Sequence, residues 1–395
     1  MCEDDSDDRY DISLSTQRLT FVLNNLMQGG TQAATLQLIN SLATLGYSCD
    51  LVVVYPEETD FFEVPPSVNV SRVFPQGVLP RYALPFLRRQ IVGLSQLSVR
   101  LRHFRGLRQA IGFCPGQIVV AMEAHTSALV CLAARGSSTP IVMSYRVHPS
   151  YARAPYWLRT LERRAARRHQ TYVTAQAECI RLALEERLQP TNPITVIPNA
   201  VQERHVMQTR IGGKVRFTSH SRYEKQKGLD ILLHAWKLAC AHTDFGNEAQ
   251  LTIHGGGSRD KYRQLVSDLA ITESVALEGP ISDVNDSLAQ TDVYVSSSRY
   301  EGFPNALAEA MAAGIPCIAT NCPGATEDLA LNGRAVKLVP VDDATAMASQ
   351  LVDLFRSKSQ RLALGRAGAD SVRRFTPEIV TSKWTQLFKE ATQEA

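Results

Sequence analysis

Two series of short apolar runs, each alternating with helical patterns, constrain this chain more than any other feature. In the first series, residues 18–24 (RLTFVLN) form an apolar run followed by Gln28, Gly29 and Gly30. A helical stretch over 31–45 then places Leu36, Ile39, Leu42 and Ala43 on one face, and Gly46 ends it. Further runs lie at 49–55, 117–122 and 140–144, with a helical pattern at 127–134. The series restarts after Asn199, with runs at 215–219, 249–253, 275–278, 293–296 and 317–320. Lys227–Gly228 leads into a helix through Leu232, Leu233 and Trp236. Strands that are apolar throughout, separated by helices, belong to parallel sheets covered on both faces. At 395 residues the chain exceeds one ordinary core.

The expected architecture is therefore α/β, with two Rossmann-like, doubly wound domains facing a central cleft. Residues 1–16 form an acidic head, 17–200 the first domain and 201–376 the second. Ile197–Pro198–Asn199 is the linker, stiffened by proline. Residues 377–395 form an amphipathic helix carrying Val380, Trp384 and Leu387, expected to pack back toward the first domain. Open parallel sheets bind ligands at the carboxyl ends of their strands, so the site is expected in the cleft.

Composition bounds the partners. No apolar run approaches the ~18 residues that span a bilayer, and the first eleven residues are acidic and polar, so a cytoplasmic location is expected. The eight cysteines are scattered without metal-ligand spacing and read as reduced core residues. Asp5-Ser6-Asp7 sits in the polar head with no strand before it, and no carboxylate cluster suggests a metal. Residues 12–200 carry 19 Arg, no Lys and 10 acidic residues, and no acid lies between Glu63 and Glu123. Such a face suits an anionic partner or is a solvated helix surface.

The stretch most suggestive of chemistry is 296–327. Glu301-Gly302-Phe303 reads as a loop, Pro304 suits a first helical turn, and 305–313 is rich in helix formers. Gly314 and Pro316 end that helix. A helix start facing the cleft is a ready site for a diphosphate. Glu301 and Glu309 flank it, either as bidentate acceptors for paired sugar hydroxyls or as ordinary surface acids. The glycines nowhere form the Gly-x-x-x-x-Gly-Lys-Ser/Thr pattern of P-loop nucleotidases.

EGFPNALAEAMAAGIPCIAT, residues 301–320, strongly resembles the signature of the family 4 retaining glycosyltransferases, which have the GT-B fold. QGGTQ, VIPNAV, SRYEKQKGLDILLHAW, LTIHGGG and VALEGPISD follow the family's order, so the resemblance runs from about Leu19 to Phe375. It implies a nucleotide-sugar donor and no metal or other cofactor. By position, Glu309 would bind the donor ribose and Glu301 the donor sugar. Gly302 and the amides around Phe303, Asn305 and Ala306 would hold sugar and diphosphate, with Pro304 lacking an amide. Arg222 and Lys227 would neutralise the leaving diphosphate, with Lys225 a bystander. Ser221 stands where the family usually has glycine. Gly29 and Gly30 would approach the donor or the acceptor. His125, in a looser match, would touch the donor sugar, while Arg146 and His148 bind acceptor or cap the sheet. Gly255, Gly257, Pro280 and Ile281 would surround the base, with His254 stacking or buried.

The donor implied is a UDP-sugar, as hexose or N-acetylhexosamine, with GDP-mannose open. The acceptor implied is a glycan or lipid-linked sugar in polysaccharide synthesis, not nucleic acid. The arginines from Arg81 to Arg108 would hold the chain peripherally to the inner face of an anionic membrane. A non-catalytic nucleotide-sugar scaffold and a sugar-nucleotide 2-epimerase of the same architecture are the alternatives.

Overall fold

The computed structural model describes residues 17–27, 29–57, 60–74, 104–151, 156–204, 213–281 and 283–393. The expectations for the acidic head, for Gln28 and for the arginines from Arg81 to Arg102 lie outside them. Among the described residues, no helix is long and apolar enough to cross a membrane.

Two separate parallel sheets form. The first contains β1 (Arg18–Leu23), β2 (Ser48–Val53), β3 (Asn69–Arg72), β4 (Gln117–Ala121), β5 (Ile141–Tyr145), β6 (Thr171–Ala175) and β7 (Ile194–Val196), in the order β3-β2-β1-β4-β5-β6-β7. The second contains β8 (Val215–His220), β9 (Ala249–His254), β10 (Val275–Glu278), β11 (Val293–Ser296), β12 (Cys317–Thr320) and β13 (Lys337–Val339), in the order β10-β9-β8-β11-β12-β13. Phe21 lies between Leu51 and Val120 in register, and Phe217 between Leu251 and Val293. The expected α/β, two-sheet architecture is present. The sequence reading passed over β3, β6, β7 and β13. Three of the five residues in the run TYVTA of β6 are threonine or tyrosine, yet all five are buried.

The helices of the first half are α1 (Gly30–Thr44), α2 (104–111), α3 (Ala124–Ala133), α4 (Tyr156–Ala166) and α5 (Glu178–Leu188). Those of the second are α6 (Leu229–Ala239), α7 (Thr243–Glu248), α8 (Asp260–Asp268), α9 (Val284–Ala289), α10 (Asn305–Ala312), α11 (Thr326–Ala330), α12 (Ala344–Arg356) and α13 (Lys358–Val372). Phe217 of β8, Trp236 of α6 and Phe245 of α7 pack with ring centroids 4.8 to 5.6 Å apart.

The final helix, α14 (Pro377–Gln393), buries Val380, Trp384, Leu387, Phe388 and Ala391. They share one apolar cluster with Leu19, Phe21, Ile39 and Val120 of the first half. Each large side chain so buried stabilises by about 1.5–3 kcal/mol, which is what holds the chain's end across the molecule. The chain thus passes between the halves twice, around Asn199–Val201 and around Phe375, and the Val201 N–H donates to the Phe375 carbonyl at 2.7 Å.

Both sheets reverse direction of strand order between their first and fourth strands, at β1/β4 and at β8/β11. Loops leaving those strands splay apart there and create a crevice. The two crevices face each other.

Candidate functional site

The facing loops enclose a cleft of about 750 Å³ lined by both halves. Its second-half wall is built on the loop from β11 to α10. There Glu301 Oε1 accepts from Lys227 Nζ at 2.7 Å and from Ser298 Oγ at 2.7 Å. Lys227 ends a single 3-10 turn after β8, and the next residue, Gly228, has φ 58°. A Cβ at Gly228 would lie 2.0 Å from the Ser297 carbonyl oxygen, so glycine lets this turn press onto the β11 loop and bring the cation to Glu301. Arg222 also lines the cleft, but its guanidinium pairs with Glu224 at 2.9 Å, with both side chains about half exposed.

Pro304 is the residue preceding α10 rather than its first helical residue. The α10 start lines the cleft with Asn305, Ala306 and Leu307. The Asn305 N–H folds back to the Phe303 carbonyl at 2.9 Å. First-turn amides have no partner within their own helix, which leaves those of Ala306 and Leu307 for an anion.

One turn along α10, Glu309 is two-thirds buried and lies 3.3 Å from Arg204 Nη2. Burial pushes the Glu309 carboxyl above its ordinary range, and Arg204 opposes that rise. Arg204 was missed from the sequence, where no motif or spacing marks it. Nearby His220 is partly buried and accepts from or donates to Ser287 Oγ at 2.9 Å. Burial, with help from His254 and Arg204, pushes its pKa down to about 3, so it is neutral.

His254, Gly255, Pro280 and Ile281 line the same side. A Cβ at Gly255 would sit 1.9 Å from the Ser221 carbonyl oxygen. The close approach here is thus made by Gly255, with Ser221 presenting backbone. Gly257 turns against Tyr223 and is not among the lining residues.

The first-half wall is different in kind. Gly29 and Gly30 line it at the start of α1. Arg146, after β5, is buried and donates to Asn199 Oδ1 at 2.6 Å, an atom that also accepts from Gln176 Nε2 at 2.5 Å. Asn199 Nδ2 donates to Asn305 Oδ1 at 2.7 Å, and Asn305 Nδ2 reaches the Gly30 carbonyl at 3.4 Å. This side-chain relay joins both halves through the linker; Arg146, Asn305 and Gly30 were named from sequence, Asn199 only as linker, and Gln176 was missed. Burial lowers the Arg146 pKa to about 10 and, despite Arg146 and a hydrogen bond to Asn24, raises that of Glu123 to about 7.

Two more contacts close the halves together. A Cβ on Gly302 would fall 1.8 Å from the Arg146 carbonyl oxygen, so the Glu301 loop touches first-half backbone. Tyr151 stacks on Tyr300 with centroids 4.1 Å apart and planes 5° apart, and the His148 ring meets the edge of Tyr151 at 5.9 Å. His148 is therefore packed on aromatics, and it is not among the lining residues. His125 lies in the first turn of α3, and its side chain is outside the described residues. Among the described residues, no group of His, Cys, Asp and Glu is arranged to hold a metal ion.

The arrangement offers cations and helix amides to a diphosphate, and carboxylates to hydroxyls. Comparison with known proteins agrees. Residues 29–200 match the glycosyl transferase 4-like domain, and residues 214–357 match glycosyl transferases group 1. The chain is similar to a phosphatidyl-myo-inositol mannosyltransferase of Mycobacterium leprae, 32% identical over 184 residues that cover 46% of this chain and 47% of that one. It is also similar to an N-acetyl-alpha-D-glucosaminyl L-malate synthase of Bacillus anthracis, 26% identical over 234 residues, covering 56% and 60%. The matches thus span less than two thirds of either relative. Anabaena HepE, solved in complex with UDP, superposes with a TM-score of 0.70 at 15% identity, covering 95% of this chain and 100% of that one. With both halves matched and the fold shared, this chain belongs to the group 1 glycosyltransferases of the GT-B fold, with a glycosyl transferase 4-like first half.

Proposed function

We propose that the chain is a retaining glycosyltransferase that moves a hexose or N-acetylhexosamine from a UDP-sugar to a glycan or lipid-linked acceptor in polysaccharide or glycoconjugate synthesis. The observation that carries this reading is the single wall on which Lys227, Glu301, the start of α10 and Glu309 all stand. Glu309 takes the ribose hydroxyls, Glu301 the donor sugar, and the amides of Ala306 and Leu307 the diphosphate. Gly302, Phe303 and Asn305 shape the donor's seat, with Pro280 and Ile281 beside the base and Gly29 and Gly30 closing over it.

In the reaction, the bond from the sugar's anomeric carbon to the diphosphate breaks, and the acceptor oxygen bonds that carbon on the same face. The acceptor proton passes to the departing phosphate oxygen. Lys227 and Arg222 offset the charge that grows on the leaving group, so they favour the transition state over the bound donor. UDP in the HepE complex supports the nucleotide. The glucosaminyl and mannosyl relatives support the two sugar classes to be compared.

The test incubates the chain with UDP-glucose, UDP-N-acetylglucosamine and GDP-mannose plus glycan and lipid-linked acceptors, and reads the anomeric configuration of the product by NMR. An α-linked product from an α-linked donor is expected, and Lys227→Ala should lower its rate by about 100- to 1,000-fold. An inverted product, or a Lys227→Ala rate equal to wild type, would sink the mechanism.

A further inference from the structure

Arg204 has no part in the roles assigned so far, yet it stands in the donor wall. It lies five residues beyond Asn199, where the chain enters its second half. Its guanidinium spans two elements. Nη2 is 3.3 Å from Glu309 Oε1 on α10, and Nη1 donates to Asn285 Oδ1 in the first turn of α9. Nε is buried without a hydrogen-bond partner among the described residues. Asn285 is itself fixed, since its N–H donates to Asp283 Oδ1 at 2.7 Å. The α9 segment follows Pro280 and Ile281, so Arg204 ties the base side of the pocket to the carboxylate on α10.

A carboxylate that is to accept from two adjacent hydroxyls must be ionised, because the neutral acid gives up one acceptor position to its own proton. Glu309 sits where burial works against ionisation. The other groups facing this region supply no counter-charge. His220 on β8 is neutral. Burial holds the Tyr294 hydroxyl of β11 protonated. Lys227 is committed to Glu301.

We infer that Arg204 is a positioning residue for the nucleotide ribose: pinned by Asn285, it keeps Glu309 ionised and fixes the carboxylate that receives the two ribose hydroxyls. This rests on the ribose reading of Glu309 above. Because the ribose is common to all nucleotides, the role is independent of which base the pocket prefers.

The test measures binding of UDP, GDP and ADP to the full chain by calorimetry between pH 5 and 8. Wild type, Arg204→Gln, Arg204→Lys, Glu309→Gln and the Arg204→Gln/Glu309→Gln double variant are compared, each checked for folding by thermal unfolding. Wild-type affinity for the preferred nucleotide should fall on the acid side as Glu309 takes up a proton. Arg204→Gln should weaken binding about ten-fold at pH 7 and move that acid limb up by about one pH unit. Arg204→Lys should restore most of both, since the charge remains. Glu309→Gln should lose the limb altogether, and adding Arg204→Gln to it should change nothing more. A 2′,3′-dideoxy analogue should bind wild type and Arg204→Gln alike. An acid limb that stays in place in Arg204→Gln, or an equal loss in the Glu309→Gln background, overturns the role of Arg204 alone. Glu309→Gln that binds as tightly as wild type, or binding of none of the three nucleotides, overturns the ribose reading itself.

Discussion

The two halves share a strand order around their switch points but not the chemistry placed there. At β8/β11, charged side chains face the cleft and hold one another at hydrogen-bond distance, as Lys227 does Glu301. At β1/β4, the corresponding charges are withdrawn. Arg146, after the neighbouring β5, is buried, Glu123 after β4 interacts with it, and apart from Arg146 the described lining is uncharged, including Gly29, Gly30, Gln37 and Asn40. Topology decides where a ligand can lie, whereas the side chains decide which wall binds charge and which supplies shape. Under the proposed function, the charged wall would take the constant donor and the other wall would be the one recut for different acceptors.

The sharpest way to break this comparison is at the seam. Gly302→Ala drives a Cβ into the Arg146 carbonyl, rigid backbone that cannot step aside. We expect it to destabilise by about 3 kcal/mol in urea unfolding and to lower transfer by about 100-fold as the Glu301 loop is displaced. Wild-type values for both would mean that the halves do not meet there.

A second, smaller effect tests the withdrawn charge. The folded pKa of Glu123, about 7, lies above its unfolded value, so the folded chain binds the extra proton. That stability is complete below about pH 4.5 and is lost as pH rises through 7. Glu123→Gln, which mimics the neutral form, should flatten the loss and exceed wild type by about 3 kcal/mol at pH 8. Parallel pH profiles for the two proteins would show that Glu123 is not held in that state.

The smallest effect is expected at Gly30. There a new Cβ meets only the Asn305 amide, a side-chain end rather than backbone, whose long 3.4 Å contact to the Gly30 carbonyl can give way, and alanine suits the first residue of α1. Gly30→Ala should keep its unfolding free energy within about 0.5 kcal/mol of wild type. A loss as large as that of Gly302→Ala would erase the distinction between the walls.

Much of this fold is legible in the sequence because parallel strands covered on both faces are almost wholly apolar, as in IVVAM or IVMSY. β6 escaped because threonines can be buried when bonded, as Thr174 is to Ser144 at 2.9 Å. β7 and β13 are only three residues long. In the site, the loop and helix from Glu301 to Glu309 are local in sequence, so their pattern points to shared chemistry. The relay through Arg146, Gln176, Asn199 and Asn305 is not local, since its members lie up to 106 residues apart along each bond. Arg204 is likewise 105 residues from Glu309, and only the folded chain brings them together.

The double passage between the halves has a mechanical consequence. Val201 and Phe375 lie side by side, joined by a backbone hydrogen bond, and α14 anchors the second passage in the first half's core. Two adjacent tethers act as a hinge pin. Sliding one half along the other would stretch a tether, while rocking about the line through both leaves each at its length. Any opening of the cleft is thereby confined to one axis, and it must separate Tyr151 from Tyr300 and Asn305 from Gly30. The last helix is what makes the joint a hinge instead of a leash.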